Sequence, residues 1–160
     1  MGAVMAQEIE RKFLLKNAQW RGEIQKSQRI AQGYLNDQPE RTVRARIKGE
    51  RAFITIKGKN QGIARAEFEY EIPVADAHEL LALCPNVLDK TRHEIYRDGF
   101  IWEIDEFHGD NAGLIVAEIE LPSIDTQFDR PGWLGEEVSG DPRYYNSALS
   151  TLPYCQWPSL

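Results

Sequence analysis

The sequence predicts an α+β fold that is mainly β: an eight-stranded antiparallel closed β-barrel with a few flanking helices. Three observations predict it. Polar and apolar residues alternate with period two in segment after segment, short Gly-, Asn- or Asp-bearing turns separate those segments, and few stretches carry helical spacing. Closure follows because an open sheet of this size leaves backbone edges unpaired, and a barrel removes them.

The first strand is "QEIERKFLL", residues 7 to 15. After it, "KNAQWRGEIQKSQ" reads as a short helix or loop, and "RIAQGYLN" as a second strand that ends at the turn residues "NDQPE". A meander follows. "RTVRARIKG", "ERAFITIKG" and "ARAEFEYEIP" alternate strongly and are separated by "KGER" and "GKNQG", so three strands joined by tight turns are expected, the last ending at Pro73. "ADAHELLALCP" places Ala75, Leu80, Leu81 and Leu83 near helical spacing, with Asp76 as the expected N-cap and Pro85 as the stop. Three more strands are expected from "LDKTRHEIYRD", "GFIWEIDEFHG" and "GLIVAEIELPS", the first two joined at Asp98-Gly99. The tail holds an acidic, Pro-containing segment and then "RYYNSALSTLP", which reads as a short helix. No fixed-period repeat is present.

A chain of 160 residues suits a single domain over 1–160, and 42% hydrophobic with 28% charged residues is ordinary for a packed globular unit. The net charge of −6 argues against general nucleic-acid affinity, because phosphate backbones are held by a surplus of Lys and Arg. Cys84 and Cys155 are far apart with no CxxC spacing, so both are expected to be plain buried thiols. The start "MGAVMAQEIER" lacks a signal-peptide pattern, no apolar run reaches membrane-span length, and Ala6 stands where a myristoylation motif wants Ser or Thr. A cytoplasmic protein with a frayed start and no membrane partner is expected. A homodimer through an outer strand face is compatible with the sequence.

Strand parity carries the functional reading. In the first strand Glu8, Glu10 and Lys12 share a face, opposite Ile9, Arg11 and Phe13. Arg44 and Arg46 lie with Thr42 and Lys48; Lys57 lies with Thr55; Arg65, Glu67 and Glu69 share a face. Lys90 pairs with Arg92, Glu103 with Asp105, and Glu118 with Glu120. One explanation is an ordinary half-exposed sheet with its polar faces in water. Against it, the signs are sorted by strand, and same-sign neighbours cost energy unless something of opposite charge lies between them. Turned inward, these faces make a polar lumen in which carboxylates suit hard cations and Arg and Lys suit phosphate oxygens. Periodicity therefore favours a phosphate compound with a divalent metal and does not name it. The three His and four Trp are expected to be packing or surface residues, with Trp102 facing an outer core.

These residues resemble a known family. "EIERKF" matches the ExExK signature of the CYTH superfamily, the triphosphate tunnel metalloenzymes, and "RAR", "TIKG", "RAEFEYEI", "KTR", "EIDEF" and "EIE" follow in that family's order. The resemblance runs from Glu8 to "GDPRYYNSAL". It implies a tunnel that binds a triphosphate with Mg²⁺ or Mn²⁺, and, for a compact bacterial-type chain, hydrolysis of inorganic tripolyphosphate to pyrophosphate and phosphate. Carried over by position, Glu8, Glu10, Asp105, Glu118 and Glu120 resemble metal carboxylates. Lys12, Arg44, Arg46, Lys57, Lys90 and Arg92 resemble the phosphate-binding cations, with Arg143 reaching the tunnel mouth. Lys12, Glu67 and Glu69 are the catalytic candidates, the glutamates by orienting or deprotonating water or by holding a second metal. Other activities of the same fold, on nucleoside or thiamine triphosphates or in adenylate cyclisation, and a non-catalytic polyphosphate- or nucleotide-binding module, remain open.

Overall fold

The computed structural model describes residues 6–158, so the reading of the Met1–Met5 start lies outside the described residues. Its strands are β1 (Gln7–Leu15), β2 (Lys26–Asn36), β3 (Arg41–Lys48), β4 (Arg51–Gly58), β5 (Ala64–Ile72), β6 (Val87–Arg97), β7 (Phe100–Phe107), β8 (Ile115–Glu120) and β9 (Leu134–Glu137). Two α-helices, α1 (Val74–Ala82) and α2 (Asn146–Leu149), and several 3-10 turns join them. The sheet order is β5-β4-β3-β2-β6-β7-β8-β1-β9, and a further β5–β1 pairing closes the first eight strands into an antiparallel barrel.

Closure depends on how β1 divides its partners. One edge pairs with β8 in the register Glu10↔Glu120, Lys12↔Glu118. The other pairs first with β5, as Glu8↔Arg65, and then with the short β9, as Phe13↔Glu137. The alternation signal finds the eight barrel strands but not β9, whose "LGEE" is too short and too polar to alternate. Gly135 lets β9 lie close, since a Cβ there would come within 2.9 Å of the Leu14 carbonyl oxygen.

Local chemistry accounts for the turns. Asp98 and Gly99 have φ of 53° and 81°, the paired positive values that a two-residue type I′ hairpin requires. Helix α1 is capped three residues earlier than the sequence suggests, at Pro73 and not at Asp76. Pro73 fills the N-cap position without a side-chain bond, and Asp76 lies in the first turn, where its charge still suits the helix dipole. The tail helix shrinks to the four residues of α2, preceded by a 3-10 turn at Pro142–Tyr144.

The main core lies outside the barrel. Phe13, Trp102, Ile104, Ala117 and Ile119 point outward and are covered by the segment after β8, including Trp133. Trp102 packs edge-to-face on Phe13 at 5.8 Å and on Trp133 at 5.6 Å between centroids, so it faces an outer core as expected. A second cluster, Leu88, Phe107, Val116 and Leu149 of α2, includes residues that share strand parity with the charged lumen. It fills one end of the barrel with apolar side chains. Helix α1 covers the start of β4 at Ala52, while the outer face farther along β4 and on β5 leaves Ile56, Phe68 and Tyr70 exposed. Cys155 is exposed and Cys84 half-buried, so neither is the fully buried thiol expected from sequence; Cys84 reaches its place because Gly33 opposite it has no Cβ.

Candidate active site

The charged faces turn inward. A cavity of about 180 Å³ is lined by Glu8, Glu10 and Lys12 of β1, by Arg44 and Arg46 of β3, and by Lys57 of β4. Glu67 and Glu69 of β5, Arg92 of β6, and Glu118 and Glu120 of β8 complete the predicted set that it brings together. Strand pleat does this with no help from loops, since alternate residues on every barrel strand meet the same interior.

Within the cavity, acids and bases pair across strands. Lys57 Nζ donates to both carboxylate oxygens of Glu8 at 3.0 Å and lies 3.5 Å from Glu67. Arg65 Nε donates to Glu8 at 3.3 Å. Lys12 Nζ donates to Glu118 at 2.8 Å and sits 3.3 Å from Glu10. Burial alone would raise the Glu8 pKa, but Lys57 and Arg65 overcome it and hold the carboxyl at about 2. Glu10 goes the other way: burial, reinforced by the Glu118 charge, lifts it to about 7. Burial and neighbouring carboxylates also raise Glu67 and Glu120.

The cations show the complementary imbalance. Burial, then Arg44 and Arg92, press Arg46 below its ordinary value, and since a guanidinium stays protonated, the crowding favours an anion in the lumen. Arg44 donates from Nη2 to Thr55 Oγ1 at 3.1 Å, while its buried Nε has no partner among the described residues. Arg44 lines the cavity, so this guanidinium has donor capacity to spare at the wall of the lumen, which suits a phosphate oxygen. Glu10, Glu67 and Glu120 have the least cationic compensation, which leaves the acidic wall short of positive charge that a hard divalent cation would supply. Among the described residues, no three carboxylates already converge on one metal-binding point.

Three predicted residues fall elsewhere. Lys90 and Asp105 are fully buried but do not line the cavity. They form a layer between it and the apolar end, where Lys90 Nζ donates to Asp105 at 2.7 Å and Arg92 donates to the same carboxylate at 2.8 and 2.9 Å. Burial would raise the Asp105 pKa, but these two cations hold it well below the usual carboxylate range, and its carboxylate is paired with Lys90 and Arg92 outside the cavity. Lys90 is pushed down to about 7 by burial and by Arg92 and Arg46. Arg143 is a clear departure: it is exposed, outside the cavity, and turns back to Asp141, which accepts its Nη2 at 2.7 Å and caps the turn it starts. An acid two residues away outcompetes a distant lumen.

Other lining residues were less visible in the sequence. Arg65 and Glu103 line the cavity on the faces of Glu67 and Asp105, although neither is among the predicted site residues. Tyr145 and Asn146 reach the cavity only because α2 folds over the barrel end, a placement that no periodicity reports. None of the three His lines it. Instead, His93 contacts Ser27 at 2.7 Å and Glu106 at 3.1 Å on the outer side, and His108 contacts Thr91 at 2.8 Å.

Comparison with known proteins agrees with this geometry. The CYTH domain model matches residues 6–145. An inorganic triphosphatase of Acetivibrio thermocellus is 44% identical over 152 residues, spanning 94% of this chain and 97% of that protein. One from Nitrosomonas europaea is 36% identical over 148 residues, spanning 89% and 96%. A crystal structure of an inorganic triphosphatase superposes with a TM-score of 0.66 at 34% identity, covering 94% of this chain and 95% of that one.

Proposed function

This chain belongs to the CYTH domain family, and we propose that it hydrolyses inorganic tripolyphosphate to pyrophosphate and phosphate inside the barrel, using Mg²⁺ or Mn²⁺. The observation that carries the reading is the coexistence, in one lumen, of an unsatisfied buried Arg44 N–H with the under-compensated carboxylates Glu10, Glu67 and Glu120. A polyphosphate with its divalent cation relieves both at once.

Arg44, Arg46, Lys57 and Arg92 bind and orient the phosphate chain, with Lys12 beside the acidic wall. Glu8, Glu10, Glu118 and Glu120 would hold the cation, which when bound neutralises phosphate charge and polarises the phosphoryl group under attack. Glu67 and Glu69, on the strand opposite Lys57 and Thr55, orient the attacking water, and the raised pKa of Glu67 suits it to accept a proton. Lys90 and Asp105 position Arg92. Catalysis on this scheme is mainly positioning and electrostatics, as phosphoryl transfer requires.

The test is phosphate release from tripolyphosphate, ATP and thiamine triphosphate, each with Mg²⁺, with Mn²⁺ and with chelator. Fast metal-dependent release from tripolyphosphate is expected. No release from any substrate, with thermal stabilisation by tripolyphosphate retained, would overturn the hydrolase reading in favour of a binding module.

A further inference from the structure

At the closed end of the lumen, the side-chain amide of Asn146 is fixed by a chain of donors that starts at a guanidinium. Lys90 Nζ reaches its Oδ1 at 3.0 Å, and Gln32 Nε2 reaches the same oxygen at 3.2 Å. Gln32 is itself held, because Arg46 Nε donates to its Oε1 at 2.8 Å. A guanidinium has no acceptor, so turning Gln32 over would set donor against donor at Arg46, and turning Asn146 over would set its NH₂ group against that of Gln32. The orientation leaves the Asn146 Nδ2 hydrogens unused. Among the described residues no protein acceptor meets them, and Asn146 lines the cavity while Lys90 behind it does not.

We propose that Asn146 is a substrate-binding residue that donates from Nδ2 to a phosphate oxygen at the closed end of the lumen, and so reads the end of a short phosphate chain. The inference rests on the triphosphate reading above and extends it to a residue outside the alternating strands. A neutral donor suits this place. Arg46, Arg92 and Lys90 already crowd the layer, Lys90 and Arg46 each lowered by burial and by the other cations, so another charge here would add repulsion where an amide adds only hydrogen bonds. Behind Asn146, α2 and the Leu88, Phe107, Val116 and Leu149 cluster fill the barrel, so a phosphate chain ends at the amide.

Asn146→Asp separates substrate contact from mere bracing. The carboxylate keeps an oxygen for Lys90 and Gln32 but puts a second anionic oxygen where the NH₂ group was. Since a hydrogen bond to a charged group is replaced by repulsion, KM for tripolyphosphate should rise about tenfold or more, with a smaller change in kcat. A KM within about twofold of wild type would leave Asn146 as a brace for Lys90 and overturn the inference. As a second measurement, the Asn146 side-chain amide resonances of the ¹⁵N-labelled wild-type protein should shift when imidotriphosphate and Mg²⁺ are added. Unmoved resonances in a protein that binds the analogue would overturn it even if the variant fails to fold. A wild-type protein that neither binds nor hydrolyses tripolyphosphate removes the proposed function itself, an outcome distinct from a normal wild type with an unaffected variant.

Discussion

Replacing Asp105 with Asn tests the layer beneath the lumen. The substitution keeps the shape of the side chain and removes the charge that receives two bonds from Arg92 and one from Lys90. Lys90 and Arg92 are then left in a buried layer facing an amide whose NH₂ group is itself a donor. Removing one member of a buried ion pair costs about 3–5 kcal/mol. At about 2–4 °C per kcal/mol for a domain of this size, the melting temperature should fall by about 6–20 °C. The loss should be larger at acid than at alkaline pH: Lys90, already held at about 7 against its ordinary 10.5, drops further in the variant, and a base with a lowered folded pKa is relieved as pH rises. Tripolyphosphate, whose charge substitutes for the missing carboxylate, should raise the variant's melting temperature more than the wild type's. Thermal and urea denaturation, with and without tripolyphosphate, measure each quantity. A loss below about 1 kcal/mol, with metal-dependent turnover abolished, would refute the bracing role and return Asp105 to the metal site.

Glu10→Gln should abolish metal-dependent turnover while circular dichroism shows the fold intact; undiminished turnover at saturating metal would count against a metal role for this carboxylate. Because Glu10 is lifted from 4.5 to about 7, the folded chain binds a proton there that the unfolded chain has lost, so its contribution to unliganded stability falls as pH rises through that window. A divalent cation needs the ionised carboxylate, so thermal stabilisation by Mg²⁺ should be weak at about pH 5.5 and strong at about pH 8. Equal shifts at both pH values would contradict the assignment.

The lumen was legible because a strand's parity is a rigid consequence of the pleat. Glu8 with Glu10, Arg44 with Arg46, and Glu118 with Glu120 each mark an inward face, and the closed barrel turns all of them to one cavity. What parity lacks is depth along the barrel. Lys90 and Asp105 share that face, yet they lie below the cavity floor because α2 covers the end and Asn146 stands over Lys90. Arg143 was misplaced for a different reason: a short-range bond to Asp141, two residues away, decides its direction. Strand β9 and the reach of Asn146 escaped because both depend on where the chain returns after β8, which no local period encodes.

The way β1 shares its edges also bears on how the chain reaches its native state. Residues 7–15 do not pair with β2, the next strand in sequence; their partners lie near residues 64–66, 116–120 and 134–137. Such distant pairings are paid in loop entropy before contact rewards them, so folding should be slow for a chain of this length, with β2–β5 and β6–β8 each able to form as a run of sequential hairpins, joined through the β2–β6 pairing, before β1 closes the barrel. During synthesis, the strand bearing Glu8, Glu10 and Lys12 leaves the ribosome first and must wait more than a hundred residues for β8. Until then its polar face and its Phe13 face are both open to solvent, and the acidic half of the lumen is the last part of the site to exist.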